Sequence, residues 1–217
     1  MSTIFGLDIG GTSIKALSLK KNGSSLAIES LGIGPAPAKG ILSESPEDLK
    51  NFAESVKKVI TSANIKQKEV NLALPESQVF TKIIEMPSLS EKELAAALKY
   101  EMEQYVPLPL DQVRTDWQVL SANSSSGKTT RILLVAAPNT LIQKYEAVMD
   151  QIGLIPVTIE TEMLSVHRSL FPLINTPNPN MIVHMGATTT NIAVVQNGEI
   201  VMVFTVDKGG IAITRAV

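Results

Sequence analysis

The chain has 217 residues, of which 44% are hydrophobic and 18% charged, a composition typical of folded globular proteins. The net charge of −2 provides no basic field for nucleic acid, and the absence of cysteine excludes disulfides and thiolate metal sites. The sequence shows neither a signal peptide nor a run of about 18 apolar residues, so it predicts a cytoplasmic protein without a membrane-spanning helix.

The segment from Phe5 to Leu19 predicts two short strands joined by a tight glycine turn. Consecutive glycines let a bulky anion approach the backbone, whose successive N–H groups can form a phosphate nest. Asp8 ends the first strand, where a carboxylate can hold a hydrated Mg²⁺ against that phosphate. Gly-Gly alone is typical of an ordinary hairpin, but the full string from Asp8 to Lys15 favours a phosphate loop. The predicted phosphate ligands are Gly10, Gly11, Thr12, Ser13 and Lys15.

The following residues predict the rest of an α/β unit. A third strand runs from Ser25 to Gly32. A helix has Ser45 as its N-cap and Pro46 at its first position, and its apolar residues between 49 and 60 keep helical spacing. Residues 70–74 then form a short buried strand, so strands and a helix alternate as in α/β folds.

Residues 79–153 predict a compact inserted subdomain with the order strand, helix, strand, strand, helix. Ser90 and Glu93 fit a capping box at the start of its first helix. The predicted elements are strand 79–86, a helix from Ser90 to Tyr105, strands 115–120 and 131–137, and helix 140–152.

The remaining residues repeat the pattern of the first hairpin. An apolar strand, a polar turn beginning at Gly186, a second strand, the turn Asn197-Gly198 and a third strand follow one another. In this repeat the chain resembles the actin superfamily, whose plan has two phosphate loops that face each other across a cleft. The predicted elements are strand 155–160, helix 161–170, a proline-rich linker 171–180, strands 181–185, 191–196 and 199–205, and a helix after Gly209-Gly210. The second set of predicted phosphate ligands is Gly186, Ala187, Thr188 and Thr189.

The first loop resembles that of the superfamily of actin, sugar kinases and Hsp70-like ATPases. Further motifs make the whole chain, in order, similar to the PilM family of type IV pilus assembly proteins, which is related to the cell-division protein FtsA. These motifs are Phe5-Gly-Leu-Asp-Ile-Gly10, Leu72-Ala-Leu-Pro75, Glu85-Met-Pro87, Tyr105-Val-Pro107, Asp116-Trp-Gln-Val119, Gly153-Leu-Ile-Pro156 and Glu160-Thr-Glu162.

The resemblance implies an α/β architecture, the actin-like or FtsA-like ATPase fold of the ribonuclease H-like type. Residues 1–78, completed by 154–175, would form the first actin-like subdomain. Residues 79–153 would be the FtsA-type insertion, and 178–217 the start of a second lobe. The family's adenosine-binding segment would follow, so we expect an N-terminal portion whose second lobe is incomplete.

The resemblance also implies a cytoplasmic scaffold that binds ATP and Mg²⁺ between two lobes. It would be recruited to the cytoplasmic face of the inner membrane without inserting. Its partner would be the N-terminal cytoplasmic tail of a PilN-type inner-membrane protein, held between the N-terminal subdomain and the insertion, with other pilus inner-membrane components nearby. Glu160 and Glu162 stand where the family places acidic residues near the nucleotide. They are candidates for polarising water, although a helix N-terminus favours such charges equally.

His184 departs from the family pattern, in which an Asp precedes the glycine of the second loop. A neutral imidazole is a poor ligand for a hard cation such as Mg²⁺. The sequence therefore predicts ATP binding with weak or absent hydrolysis.

Other interpretations stay open. A ROK-type sugar kinase shares the string Asp-Ile-Gly-Gly-Thr, but it needs a general-base Asp and a cysteine-rich zinc motif, and this chain has no cysteine. An FtsA-like protein that recruits cell-division components to the membrane, or an interaction module without ATP chemistry, also fits. Residues 126–129 resemble the end of a Walker A loop, but Ala122 stands where that loop requires glycine, so we interpret them as a polar turn.

Overall fold

The computed structural model describes residues 4–121 and 129–216. Within these residues the chain forms eleven strands, five α-helices and two short 3-10 turns. The strands are β1 (Ile4–Ile9), β2 (Ser13–Asn22), β3 (Ser25–Pro35), β4 (Glu69–Leu74), β5 (Phe80–Pro87), β6 (Val113–Ser121), β7 (Thr129–Pro138), β8 (Ile155–Thr161), β9 (Asn180–Met185), β10 (Thr190–Gln196) and β11 (Glu199–Val206). The helices are α1 (Pro46–Ser62), α2 (Glu91–Tyr105), α3 (Asn139–Gln151), α4 (Glu162–Ile174) and α5 (Gly210–Ala216), and the 3-10 turns are Glu76–Gln78 and Leu110–Gln112.

The largest sheet has the strand order β3-β2-β1-β4-β8. Its first three strands form an antiparallel meander, and β4 and β8 extend the sheet in parallel. The predicted N-cap Ser45 accepts a hydrogen bond from the backbone N–H of Asp48, and Pro46 opens α1 as expected. α1 packs on this sheet through fully buried side chains such as Phe52 and Val56.

A second sheet, with the order β5-β7-β6, carries α2. The predicted capping box between Ser90 and Glu93 is formed at the start of that helix. The predicted insertion also includes α3, but the packing of this helix differs from that expectation. Its apolar side chains, among them the fully buried Tyr145, lie in the core of the five-stranded sheet beside α1, because that larger sheet offers the apolar surface they cover.

A third sheet, with the order β11-β10-β9, packs against α4. The predicted end of this helix at Leu170 is wrong, because α4 continues through Pro172 to Ile174 and takes up the first half of the predicted linker. Proline removes one helical hydrogen bond. Ile174 is only 9% exposed and packs in the same core as Ile182, so burial holds the last turn in place despite that loss.

Candidate functional site

The first glycine turn, residues 10–13, closes on itself between β1 and β2. The N–H of Gly10 donates to the carbonyl of Ser13 at 3.0 Å, and a β-carbon at Gly10 would lie only 3.2 Å from that oxygen. Asp8 and Lys15 are cross-strand partners flanking the turn, and the Lys15 ammonium donates to the Asp8 carboxylate at 2.7 Å. The turn therefore carries an ion pair on its strands.

The second glycine turn, residues 186–189, has the same geometry between β9 and β10. The N–H of Gly186 donates to the carbonyl of Thr189 at 2.8 Å, and a β-carbon at Gly186 would lie 3.2 Å from that oxygen. The start of α5 anchors this turn, because the N–H groups of Gly210 and Ile211 donate to its first two carbonyls at 2.9 and 3.0 Å.

The two turns face each other across a central cleft of about 440 Å³. A β-carbon added at Gly11 would lie 3.5 Å from the hydroxyl oxygen of Thr188, so one added carbon would bring the two turns into van der Waals contact at this point. All predicted phosphate ligands line this cleft, together with Asp8 and Glu162. The cleft residues that sequence patterns did not single out include Tyr145 and Asn191.

His184 and Asn191 occupy the positions in the second hairpin that Asp8 and Lys15 occupy in the first. They are cross-strand partners on β9 and β10. The Asn191 amide donates to the Glu162 carboxylate at 3.1 Å, and Nδ1 of His184 is buried without a hydrogen-bond partner among the described residues. Alignment of the two hairpins at their glycines would have identified Asn191 from sequence.

Glu162 and Glu160, the two candidates for polarising water, lie in different places. Glu162 lines the cleft, where burial, and after it the nearby Asp8 carboxylate, raises the pKa of its carboxyl group from 4.5 to about 7. Glu160 lies outside the cleft and forms a two-bond ion pair with Arg168 on α4. The structure thus brings only Glu162 to the glycine turns.

Glu76 is a buried carboxylate that no sequence pattern indicated. It is 5% exposed and accepts hydrogen bonds from the Thr81 hydroxyl at 2.8 Å and from the N–H of Met163 at 3.3 Å. It therefore ties the chain after β4 to the first turn of α4, the helix that begins with Glu162.

A second concave surface lies between the five-stranded sheet and the insertion, and we call it the side groove. Its volume is about 410 Å³, and its apolar walls come from four elements. Arg114 and Glu146 form an ion pair of 3.1 Å within its lining. Its other lining residues include Asp116, Val135, Ala137, Ile142, Pro156, Val157, Ile159 and Glu160.

Other residues considered from sequence have structural roles or fall elsewhere. His167 is a half-buried residue of α4 whose Nε2 lies 2.8 Å from the Gly198 carbonyl oxygen. Residues 126–128 of the Walker-like string lie outside the described residues.

Across residues 4–121 and 129–216, no three His, Asp or Glu side chains are grouped to ligate a metal directly. No helix in these ranges has the length and apolarity needed to cross a bilayer.

Solved structures define the class of this protein. A chain of a PilM–PilN type IV pilus biogenesis complex matches with a TM-score of 0.85 and 23% identity, over 99% of this chain and 64% of that chain. The cytoplasmic domain of EpsL, an inner membrane component of the type II secretion system of Vibrio cholerae, matches with a TM-score of 0.60 and 14% identity. This match covers 94% of this chain and 71% of that domain's chain. A protein of unknown function with an actin-like ATPase fold from Bacteroides thetaiotaomicron matches with a TM-score of 0.54 and 9% identity. This match covers 95% of this chain and 70% of that chain. The chain therefore has the actin-like ATPase fold.

The sequence then identifies the family. The family model described as type IV pilus assembly protein PilM matches residues 6–217. Because this match covers nearly the whole chain, the chain belongs to the PilM family, as its motifs predict. It spans 64% of the length of the matched chain in the PilM–PilN complex.

Proposed function

We propose that this protein is an ATP-binding, actin-like scaffold of type IV pilus assembly that recruits the cytoplasmic tail of a PilN-type inner-membrane protein. The observation that carries the nucleotide part is that two glycine turns of matching geometry, Gly10–Ser13 and Gly186–Thr189, line one cleft. The protein would act in the cytoplasm, bound to the inner membrane through its partners and not inserted.

The cleft offers a distinct role to each charged residue. The backbone N–H groups and hydroxyls of the two turns would bind phosphate oxygens. The Lys15 ammonium would break its ion pair with Asp8 and bind the phosphate, whose charge it would neutralise. Mg²⁺ keeps several waters and is bound through one or two carboxylates plus substrate phosphates, which suits Asp8 and requires no cluster of direct ligands. When bound, this cation neutralises phosphate charge. His184 supplies no oxygen ligand, so we expect weak or absent hydrolysis.

The side groove is the proposed site of the partner tail. It lies between the first subdomain and the insertion, and apolar side chains form most of its lining. The PilM–PilN complex with which the chain shares its fold supports a partner of the PilN type. Nucleotide binding would change the angle between the lobes and therefore the shape of this groove.

Titration calorimetry with ATP and Mg²⁺ tests the nucleotide site. The Lys15→Ala variant should lose about 1–3 kcal/mol of binding free energy, the scale of a charge-assisted hydrogen bond. Lys21→Ala, at the far end of the same strand, is the matched control. Unchanged affinity in Lys15→Ala would refute the assignment of the first turn.

Fluorescence anisotropy with a synthetic PilN-type tail peptide tests the partner site. Val157 is 48% exposed on β8 and lines the side groove, so Val157→Asp should weaken binding at least tenfold. Ile155 is 59% exposed on the same strand but lies outside the groove lining, so Ile155→Asp should bind as the unaltered protein does. Equal losses in both variants would argue against this groove.

A further inference from the structure

Tyr145 is a buried polar residue without a polar partner. Its side chain is 0% exposed, and its hydroxyl oxygen has no hydrogen-bond partner among the described residues. An unpaired hydroxyl in a protein interior costs free energy, typically about 1–3 kcal/mol. A buried polar group without a partner calls for an explanation, and a ligand in an adjoining cavity is one.

The position of Tyr145 indicates which state that is. Tyr145 is one of the residues that line the central cleft together with the two glycine turns. Burial, and after it the carboxylates of Glu162 and Asp8, raises the pKa of the hydroxyl well above its usual range, so the group keeps its proton and stays a donor. If the cleft binds a nucleotide as proposed, the phosphate oxygens and their water shell would bring acceptors to this donor.

The helix that carries Tyr145 also forms part of the side groove. Ile142, one turn earlier on α3, and Glu146, the next residue, both line that groove. Glu146 accepts a hydrogen bond from Arg114 of the insertion at 3.1 Å. One rigid helix thus contacts the nucleotide cleft through one side chain and the partner groove through its neighbours.

We propose that the Tyr145 hydroxyl donates a hydrogen bond to an oxygen that the bound nucleotide brings to the floor of the cleft, and that α3 transmits this contact to the side groove. Nucleotide binding and tail binding are then coupled through a single helix. This inference rests on the proposed function, because it assumes both ligands, and it adds the residue and the element that connect them.

The Tyr145→Phe variant tests the contact, because it removes only the hydroxyl and keeps the packing. Without ATP, its melting temperature should equal or exceed that of the unaltered protein, since an unsatisfied buried group is gone. With ATP, its affinity should be about threefold to tenfold weaker, the fold-change that corresponds to one hydrogen bond. Tyr105→Phe, in the insertion and outside the cleft, should change neither quantity.

The coupling is measured by tail-peptide affinity with and without ATP. In the unaltered protein ATP should change this affinity, and in Tyr145→Phe the change should be smaller. Because coupling is reciprocal, the tail peptide should change ATP affinity by the same factor in each protein. ATP affinity retained in Tyr145→Phe, or lost together with stability in the absence of ATP, would overturn the contact. An ATP-independent tail affinity in the unaltered protein would overturn the coupling. Failure of the unaltered protein to bind ATP would overturn the proposed function itself.

Discussion

The two three-stranded meanders, β1–β3 and β9–β11, share a backbone but differ in charge. Each closes its glycine turn with the same N–H to carbonyl hydrogen bond, and each has a register shift between its second and third strands. The positions flanking the turn hold the ion pair Asp8–Lys15 in the first meander and the side chains His184 and Asn191 in the second. A repeated backbone thus holds a carboxylate–ammonium pair in only one half, and the other half contributes hydroxyls and N–H groups.

The two meanders also differ in how they are supported. The first belongs to a five-stranded sheet whose core contains α1 and α3. The second packs on a smaller core with α4. Both meanders leave apolar side chains at least half exposed, which are Leu26, Ile28, Leu31 and Ile33 in the first and Met181, Val183, Met185, Met202 and Phe204 in the second. Within β11, Ile200 is buried and Phe204 is exposed. Fewer buried contacts imply that the second turn opens more readily than the first.

The largest expected effect concerns Glu162, which accepts a hydrogen bond from Asn191 of the second meander. Since its pKa is about 7 in the folded protein against an ordinary 4.5, the folded state binds this proton more tightly than the unfolded chain. The free energy of unfolding should therefore fall as pH rises from 4.5 through 7. Glu162→Gln should remove this term and stabilise the protein at pH about 8 by on the order of 3 kcal/mol at most.

Urea denaturation at several pH values measures this difference. The stabilisation by Glu162→Gln should vanish near pH 4.5, where the carboxyl group is protonated in the folded protein. Glu160→Gln, outside the cleft, is the control. A stabilisation that does not vary with pH would contradict the buried position of Glu162.

The next effect compares two substitutions. One lies where the start of α5 holds the second turn, and the other lies where the first turn faces the second. A β-carbon at Gly209 would lie 2.6 Å from the backbone carbonyl of Ala187, so Gly209→Ala must displace the second turn. We expect a loss of about 2 kcal/mol in stability and weaker ATP binding. Gly11→Ala meets only ordinary contacts and should lose much less stability in thermal denaturation. A larger loss in Gly11→Ala would reverse our account of the two turns.

The smallest effect comes from giving the second meander a carboxylate at the position that Asp8 has in the first. His184→Asp adds a third carboxyl group to a cavity that Asp8 and Glu162 also line, and like charges so placed repel each other. We expect a loss of about 1 kcal/mol, or about 3 °C in melting temperature, which Mg²⁺ should restore. His184→Asn should show no response to Mg²⁺, and an equal response in both variants would exclude a carboxylate effect.

Local signals in the sequence predicted most of the fold. Ser45, Pro46 and Ser90 mark helix starts, and the glycine turns mark the hairpins. The predicted end of α4 was wrong because burial of Ile174 outweighs the cost of Pro172. No local sequence pattern reveals this burial. Tertiary assembly likewise decides where an apolar helix packs, as α3 illustrates.

The candidate site was predictable where its chemistry lies in the turns themselves. The turn residues and Asp8 follow from short strings, and Glu162 follows from family resemblance. Tyr145 reads as an ordinary core residue, because only the folded structure shows that its hydroxyl is unpaired beside the cleft. The role of Glu76 also depends on the folded structure, because the hydrogen bond that it accepts comes from the first turn of α4, which is distant in sequence.

Hydrogen–deuterium exchange with and without ATP and Mg²⁺ tests most directly whether both turns bind one nucleotide. We predict slower exchange in peptides that contain Gly10–Ser13 and in peptides that contain Gly186–Thr189, at the same ATP concentration. The exposed hairpin at Asn22–Ser25, at the opposite end of β2 from the first turn, is the internal control. Protection of the first turn alone, or of neither turn, would contradict the account.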